Sequence, residues 1–143
     1  MKSLKCEEHG QVHVSSQKGD SPYALCIDTF KHSLKADEPI DMGGTDTGPA
    51  PFEFLLSALG ACMTMTLHMY AKHKGITLPE FEVLLCENHE RDTDGKTVTD
   101  IKVQLVVDNS ADQAMIDKMI EIMHKCPVHR TLNGEINTNI ILA

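Results

Sequence analysis

The stretch from Pro51 to Gly75 limits what this chain can fold into more than any other part of it. Proline suits the first turn of a helix, and glycine suits the C-terminal cap. Between them Leu55, Leu56, Ala58, Leu59, Ala61, Met63, Met65, Leu67 and Met69 cover nearly every face. A helix apolar all round belongs at the centre of a domain or between two copies of one. The longest apolar run within it, Phe54 to Met63, is short and broken by small residues, which argues against a bilayer span. Lys72, His73 and Lys74 close the segment with the sign that the negative end of a helix favours. The remaining elements must therefore build layers around this helix.

Hydrophobic periodicity supplies those layers. Gln11 to Ser16 alternates, Tyr23, Leu25 and Ile27 repeat at period two, and His32 to Ala36 completes a three-stranded meander, with a turn at Lys18 to Pro22. Asp37 to Pro51 contains three prolines, three glycines and four acids, so it is a long loop of the kind that often carries function. Within it, Gly43-Gly44-Thr45-Asp46-Thr47-Gly48 lacks the Gly-Lys-Ser/Thr ending of a phosphate loop and serves to turn the backbone into the helix. After the helix, Phe81, Val83 and Leu85 alternate, as do Ile101, Val103, Leu105 and Val107, with a hairpin turn at Arg91 to Lys96. Ser110-Ala111-Asp112-Gln113 reads as a capping box ahead of the stripe Met115, Ile116, Met119, Ile120 and Met123. Pro127 ends that helix and opens a shorter one over Val128 to Leu132, and Ile136 to Leu142 reads as a last strand. The order βββ-α-ββ-αα-β describes one α+β domain over residues 1–143, with antiparallel strands around a central helix.

Charge and cysteine usage narrow the function. A formal net charge of −8 repels nucleic acid and anionic membranes alike, so neither is expected as a partner. The start of the chain has no apolar run, which points to a cytoplasmic protein. Five cysteines is an odd number, unsuited to a closed set of disulfides. In a reducing compartment each is then either inert or chemically used.

Cys126 precedes Pro127, which puts its sulfur at the positive end of a short helix, where free N–H groups favour thiolate over thiol. Cys62 lies in the interior of the long helix on a face shared with Ala58, Leu59, Met65, Thr66 and Met69. Apolar surroundings favour the neutral thiol. By position Cys62 reads as core unless a cation is brought to it, although such a wall also suits an apolar substrate. Cys26 and Cys86 fall in strands. Cys-x-x-His recurs at Cys6/His9, Cys86/His89 and Cys126/His129. In a strand, however, positions three apart face opposite ways, and no paired Cys-x-x-Cys is present. No metal or cofactor is expected.

Several blocks taken together resemble a known family. They are Ala36-Asp37-Glu38-Pro39, then Gly43 through Pro51, then Leu55-Leu56-Ser57-Ala58-Leu59-Gly60-Ala61-Cys62, and finally Cys126-Pro127-Val128. In order and spacing these are similar to the OsmC/Ohr family of osmotically inducible and organic hydroperoxide resistance proteins. The resemblance implies an intertwined homodimer with two central helices back to back between sheets. It further implies that Cys62 attacks an organic hydroperoxide to form a sulfenic acid. Cys126 then condenses with it to a disulfide, which a dithiol reductant reopens.

In the catalytic branches an arginine from the N-terminal sheet, and a glutamate directly after the helix-opening proline, activate the first cysteine. Here no arginine precedes Arg91, Phe52 follows Pro51, and the acid is Glu53, one place later. Helix geometry sets Glu53 roughly 13 Å along the axis from Cys62, so it reaches that sulfur only in a partner subunit. Lys18 is a poor stand-in for a forked arginine, and Arg130, one turn beyond Cys126, is the better placed cation. The residues therefore support three readings: a thiol peroxidase using Cys62, Cys126 and Glu53, a non-catalytic OsmC-like binder of a small apolar or thiol ligand, and a Cys/His metalloprotein.

Overall fold

A computed structural model describes residues 10–16, 19 and 21–142. The chain divides into two compact units, Met1–Leu55 with Asn139–Ala143, and Leu56–Thr138. Cys6, His9 and Lys18, and part of the turn expected at Lys18 to Pro22, lie outside the described residues.

The first unit holds the expected meander. Strands β1 (His13–Ser16), β2 (Leu25–Asp28) and β3 (Ser33–Ala36) pair antiparallel in that order. His13 lies opposite Asp28, and Leu25 opposite Ala36. The residue after β3 organises the long loop. Asp37 is 2% exposed, and its carboxylate accepts from the Ser21 hydroxyl at 3.2 Å, the Glu38 N–H at 2.9 Å and the Thr47 hydroxyl at 2.9 Å. The N–H and hydroxyl of Thr45 and the N–H of Thr47 complete the set. A carboxylate accepting this many bonds is stabilised in its charged form, so Asp37 titrates well below the ordinary range. The hydroxyl of Thr45 contributes most, and burial opposes it.

The glycine-rich run turns the backbone as its composition implies. A Cβ on Gly44 would lie 1.9 Å from the Glu38 carbonyl oxygen, and only glycine permits that approach. The run leads into helix α1 (Pro51–Lys74). Glu53 Oε2 accepts the Ala50 N–H at 2.7 Å, so this acid closes the helix start. At the far end Gly75, at φ +66°, ends the helix.

The second unit begins within α1. Strands β4 (Phe81–Arg91) and β5 (Thr97–Val107) form one long antiparallel hairpin, Phe81 opposite Val107 and Arg91 opposite Thr97. Its turn is tied by Asp92, whose Oδ1 accepts from the N–H groups of Asp94 and Lys96. Helix α2 (Gln113–Met123) is capped by Asp112, not by Ser110 as a capping box would have it. The Ser110 N–H is instead donated to Asp108 Oδ1 at 2.6 Å, so the helix starts later. Helix α3 (Pro127–Leu132) comes last.

The core of this unit joins Leu59, Met63 and Leu67 of α1 to Met119, Ile122 and Met123 of α2 and to Cys126. The inward residues of the hairpin, Val83, Leu85, Ile101, Val103 and Leu105 among them, pack on it. Gly60 lets the helix sit close, since a Cβ there would meet Leu85 Cδ1 at 2.7 Å. Each buried aliphatic side chain contributes about 1.5–3 kcal/mol, more than a typical cap, so this stripe decides how α1 lies.

One expectation is corrected here. Ile136 to Leu142 is irregular and open, with Ile140 and Leu142 fully exposed, because an alternating segment becomes a strand only beside another strand. Helix α1 is buried along one stripe only, Leu59, Gly60, Met63, Leu67 and Ala71, while Met65 and Met69 stand 59% and 69% exposed. One copy of the chain supplies one covering surface. By length and composition alone α1 also passes as apolar enough to cross a membrane, a test that the core helix of a folded domain meets as well.

Replacing Asp37 by asparagine should lower the melting temperature by several degrees at neutral pH. The sign of the pH effect comes from its low titration in the fold. Its contribution is complete above the pH at which the unfolded chain protonates, about 4, and is lost as the pH falls through the folded-state value. Thermal melts over this acid range should show a shallower loss of stability for Asp37→Asn than for the parent.

Candidate active site

Helix α1 carries Cys62 between the core residues Leu59 and Met63, at the border between its buried stripe and its open face. Cys62 is half-buried and packs against the core cluster, while Cys126 is fully buried within it. These cysteines are far apart along the chain, yet the fold brings both to one core, with Cys62 near enough to act on the Cys126 thiol. Both are free thiols.

Cys126 takes the position that Cys-Pro implies, as the N-cap residue of α3 with Pro127 in the first turn. The backbone N–H groups of His129 and Val128 pull its thiol downward without forming a cap hydrogen bond of ordinary geometry. The expectation that this end of a helix yields a thiolate is nonetheless overturned. Burial raises the thiol most, and the nearby Cys62 raises it further, so the net direction is upward. Removing a full charge from water outweighs two imperfectly aligned amide dipoles of a helix six residues long.

Glu53 is exposed, and its carboxylate is engaged by the Ala50 N–H at the start of α1. Helix geometry leaves it about 13 Å along the axis from Cys62. Arg130 is exposed on α3, and its backbone N–H donates to the Cys126 carbonyl at 3.0 Å. Of the Cys-x-x-His pairs, Cys86/His89 and Cys126/His129 fall within the described residues. Cys86 is paired across the ladder with Lys102, whereas His89 binds Thr99 Oγ1 at 3.0 Å and faces Glu87 at 3.5 Å. The His129 ring meets His124 edge-on at 5.1 Å between centroids. Among the described residues no group of three or more His, Cys, Asp and Glu side chains could hold a metal ion.

The hollows among the described residues of this unit include two large ones. The larger, about 920 Å³, is at the corner where α1 gives way to β4 and is lined by His68, Lys72, Pro79 and Phe81 among others. The second, about 610 Å³, lies between α1, β5, α2 and α3 and is bordered by Leu59, Met63, Ile120, Met123 and His129. Neither is lined by Cys62 or Cys126. The second adjoins the pair more closely, because Leu59 and Met63 flank Cys62 on α1 and His129 lies on α3 just after Cys126. The apolar wall read from the sequence beside Cys62, with Met65 and Met69, is an open face.

A sequence profile described as OsmC-like protein matches residues 44–141, a span that includes both cysteines and the turn into α1. The chain belongs to the OsmC-like family. Solved structures agree with the fold. An OsmC-like protein from Mycoplasma pneumoniae superimposes with a TM-score of 0.72 at 21% identity, over 90% of each chain. The organic hydroperoxide resistance protein OhrB of Bacillus subtilis gives 0.63 at 18%, over 87% of this chain and 92% of its own. An organic hydroperoxide resistance protein OsmC from Legionella pneumophila gives 0.64 at 13%, over 87% and 90%. No curated protein sequence matches at a significant level.

Sequence reasoning missed two features of this OsmC-like protein. Asp37 appeared only inside a motif, although an acid upstream of two threonines in a glycine-rich loop is a signal for such a hub. Glu87 lies on the inward face of β4 with Oε2 buried and without a hydrogen bond, and alternation with Val83 and Leu85 could have placed it there.

Proposed function

We propose that this protein is a thiol-dependent peroxidase that reduces organic hydroperoxides in the cytoplasm, as part of defence against oxidative stress. The observation that carries the reading is that a partly accessible Cys62 packs against the core cluster in which Cys126 is fully buried. An accessible sulfur can meet a peroxide, and a buried one beside it can trap the product before a second oxidation.

The reaction begins when the Cys62 thiolate attacks the O–O bond, becomes a sulfenic acid, and releases the alkoxide, which leaves as the alcohol on taking a proton. Cys126 then attacks the Cys62 sulfur, a disulfide forms, and water departs. A dithiol reopens it: one thiolate attacks Cys62, the exposed partner, and the second closes the reductant into its own disulfide. The net reaction turns a hydroperoxide and a dithiol into an alcohol, water and a disulfide.

The protein works as a homodimer in this reading. Met65 and Met69 form an exposed apolar face of α1 on the side of Cys62, which a second α1 packed back to back would cover. That contact would also close the open side of Cys62 into an apolar pocket for the alkyl group, and it would offer Glu53 of the partner subunit as the nearby acid.

A second reading is a non-catalytic binder of a small apolar or thiol ligand at the same place. It is favoured by the lack of any arginine before Arg91 and by the engagement of Glu53 at Ala50.

Turnover of cumene hydroperoxide with a dithiol should be readily measured for the parent and fall at least a hundredfold in Cys62→Ser. Equal rates in the two proteins would remove the peroxidase. Peroxide treatment and then mass spectrometry should find a Cys62–Cys126 disulfide, whereas unmodified thiols would favour the binder. Light scattering should give twice the chain mass, and Met65→Glu with Met69→Glu should shift it toward the monomer; a monomeric parent would refute the dimer.

A further inference from the structure

The hollow between α1, β5, α2 and α3 is lined by neither of the paired cysteines. We propose that it is a binding site for an uncharged small amphiphile, an aliphatic chain that ends in a hydroxyl group. The site goes beyond the peroxidase reading, and no step of that reaction passes through it.

A volume of about 610 Å³ is that of a pocket enclosing a small molecule. The hollow has two unlike ends. Along β5 its inward lining residues change from Thr99 to Ile101, Val103 and Leu105. Along α2 they change from Ile116 and Ile120 to His124 at the helix end. These two elements run in opposite directions. Met115 and Lys118, at the start of α2, border a crevice with Leu67 and Tyr70 of α1. The adjacent His68 ring lies 5.5 Å from Phe81, which faces Val107 at the end of β5. The end of α2 therefore lies by the start of β5. Thr99 and His124 share one pole, together with His129 of α3, whose ring meets His124 edge-on at 5.1 Å. Ile116 and Leu105 mark the other, apolar pole.

The polar pole calls for a group that donates. The Thr99 oxygen lies 3.0 Å from His89 Nδ1, and His89 Nε2 faces Glu87 Oε1 at 3.5 Å. A carboxylate beside Nε2 favours the ring proton there, which in the neutral ring leaves Nδ1 to accept the Thr99 proton. A ligand then meets the lone pairs of the Thr99 oxygen, to which a hydroxyl donates and a carboxylate does not. Asp100, on the border, repels an anion; being itself exposed, it offers a cation no enclosed partner in exchange for lost hydration. His129 Nδ1 is buried without a hydrogen bond. A hydroxyl has both a proton to give and lone pairs to offer, which suits a pole of this mixed character. The aliphatic chain follows Val103 and Ile116 toward the other end, and the exposed Ile120 loses further contact with water as the hollow fills.

The test is a titration of the isotope-labelled full chain with octanol, followed through amide resonances in proton–nitrogen correlation spectra. The amides of Thr99, Ile120 and His129 should shift to saturation, and octanoate and octylammonium should each bind about tenfold more weakly. Thr99→Val removes the hydroxyl with little change of shape and should weaken octanol about tenfold, the worth of one hydrogen bond. Ile120→Trp, which fills the hollow from its open side, should abolish the shifts; if it unfolds by circular dichroism, Ile120→Phe replaces it. No saturation at these amides, equal affinity for either charged probe, or unchanged affinity in Thr99→Val would each overturn the proposal. Cys62→Ser should bind octanol as the parent does, and loss of the shifts there would assign them to the cysteine site instead. A parent that shows no peroxide turnover but still shows saturable shifts removes the enzyme and leaves this site standing.

Discussion

Packing of one stripe of α1 against the hairpin and α2 is the constraint on which the site depends. Leu59, Met63 and Leu67 are almost fully buried there, and Gly60 allows the close approach to Leu85. A helix held by one stripe leaves its flank at a boundary, and Cys62 lies on that boundary. The same core draws in the corner between α2 and α3, which carries Cys126 inward beside it. Neither cysteine has to be positioned by a special device, because ordinary apolar burial does it. Truncating any of those stripe residues to alanine removes about 2–5 kcal/mol, so the site and the fold are lost together.

Much of this was legible in the chain because the strongest signals were local. Pro51 and Gly75 marked the ends of α1, the alternation in Phe81 to Leu85 and Ile101 to Val107 marked the hairpin, and Pro127 marked the break before α3. The Cys-Pro pair gave the right position for Cys126 as well. What local pattern could not supply was the sign of its electrostatics, since the degree of burial is a property of the whole unit. Nor could it show that the apolar residues of α1 divide into a covered stripe and an open face, because composition does not say how many neighbours a helix has. The segment Ile136 to Leu142 makes the same point for strands: alternation states a preference, and pairing requires a second strand.

Asp37 illustrates a different limit. The hydroxyl and N–H groups that donate to it could be satisfied by water if the loop were loose. The glycines and prolines between Glu38 and Pro51 instead let the backbone fold back on one carboxylate. The loop is thereby fixed by polar contacts where it lacks an apolar core of its own. It leads directly into the first turn of α1, whose start is closed by Glu53. In this chain the acid near the helix-opening proline thus has a structural duty. That duty weakens its assignment as an activator, because the same oxygen cannot serve both within one copy.

The absence of an early arginine leaves Cys62 without the outside cation that a guanidinium would supply. The fold instead treats the two sulfurs unequally: Cys126 is wholly enclosed, and Cys62 keeps contact with solvent. Burial opposes ionisation of the enclosed thiol, and the amide groups at the start of α3 act against that without overcoming it. An enclosed sulfur is also shielded from anything arriving through solvent, so exposure orders the two thiols before charge is considered.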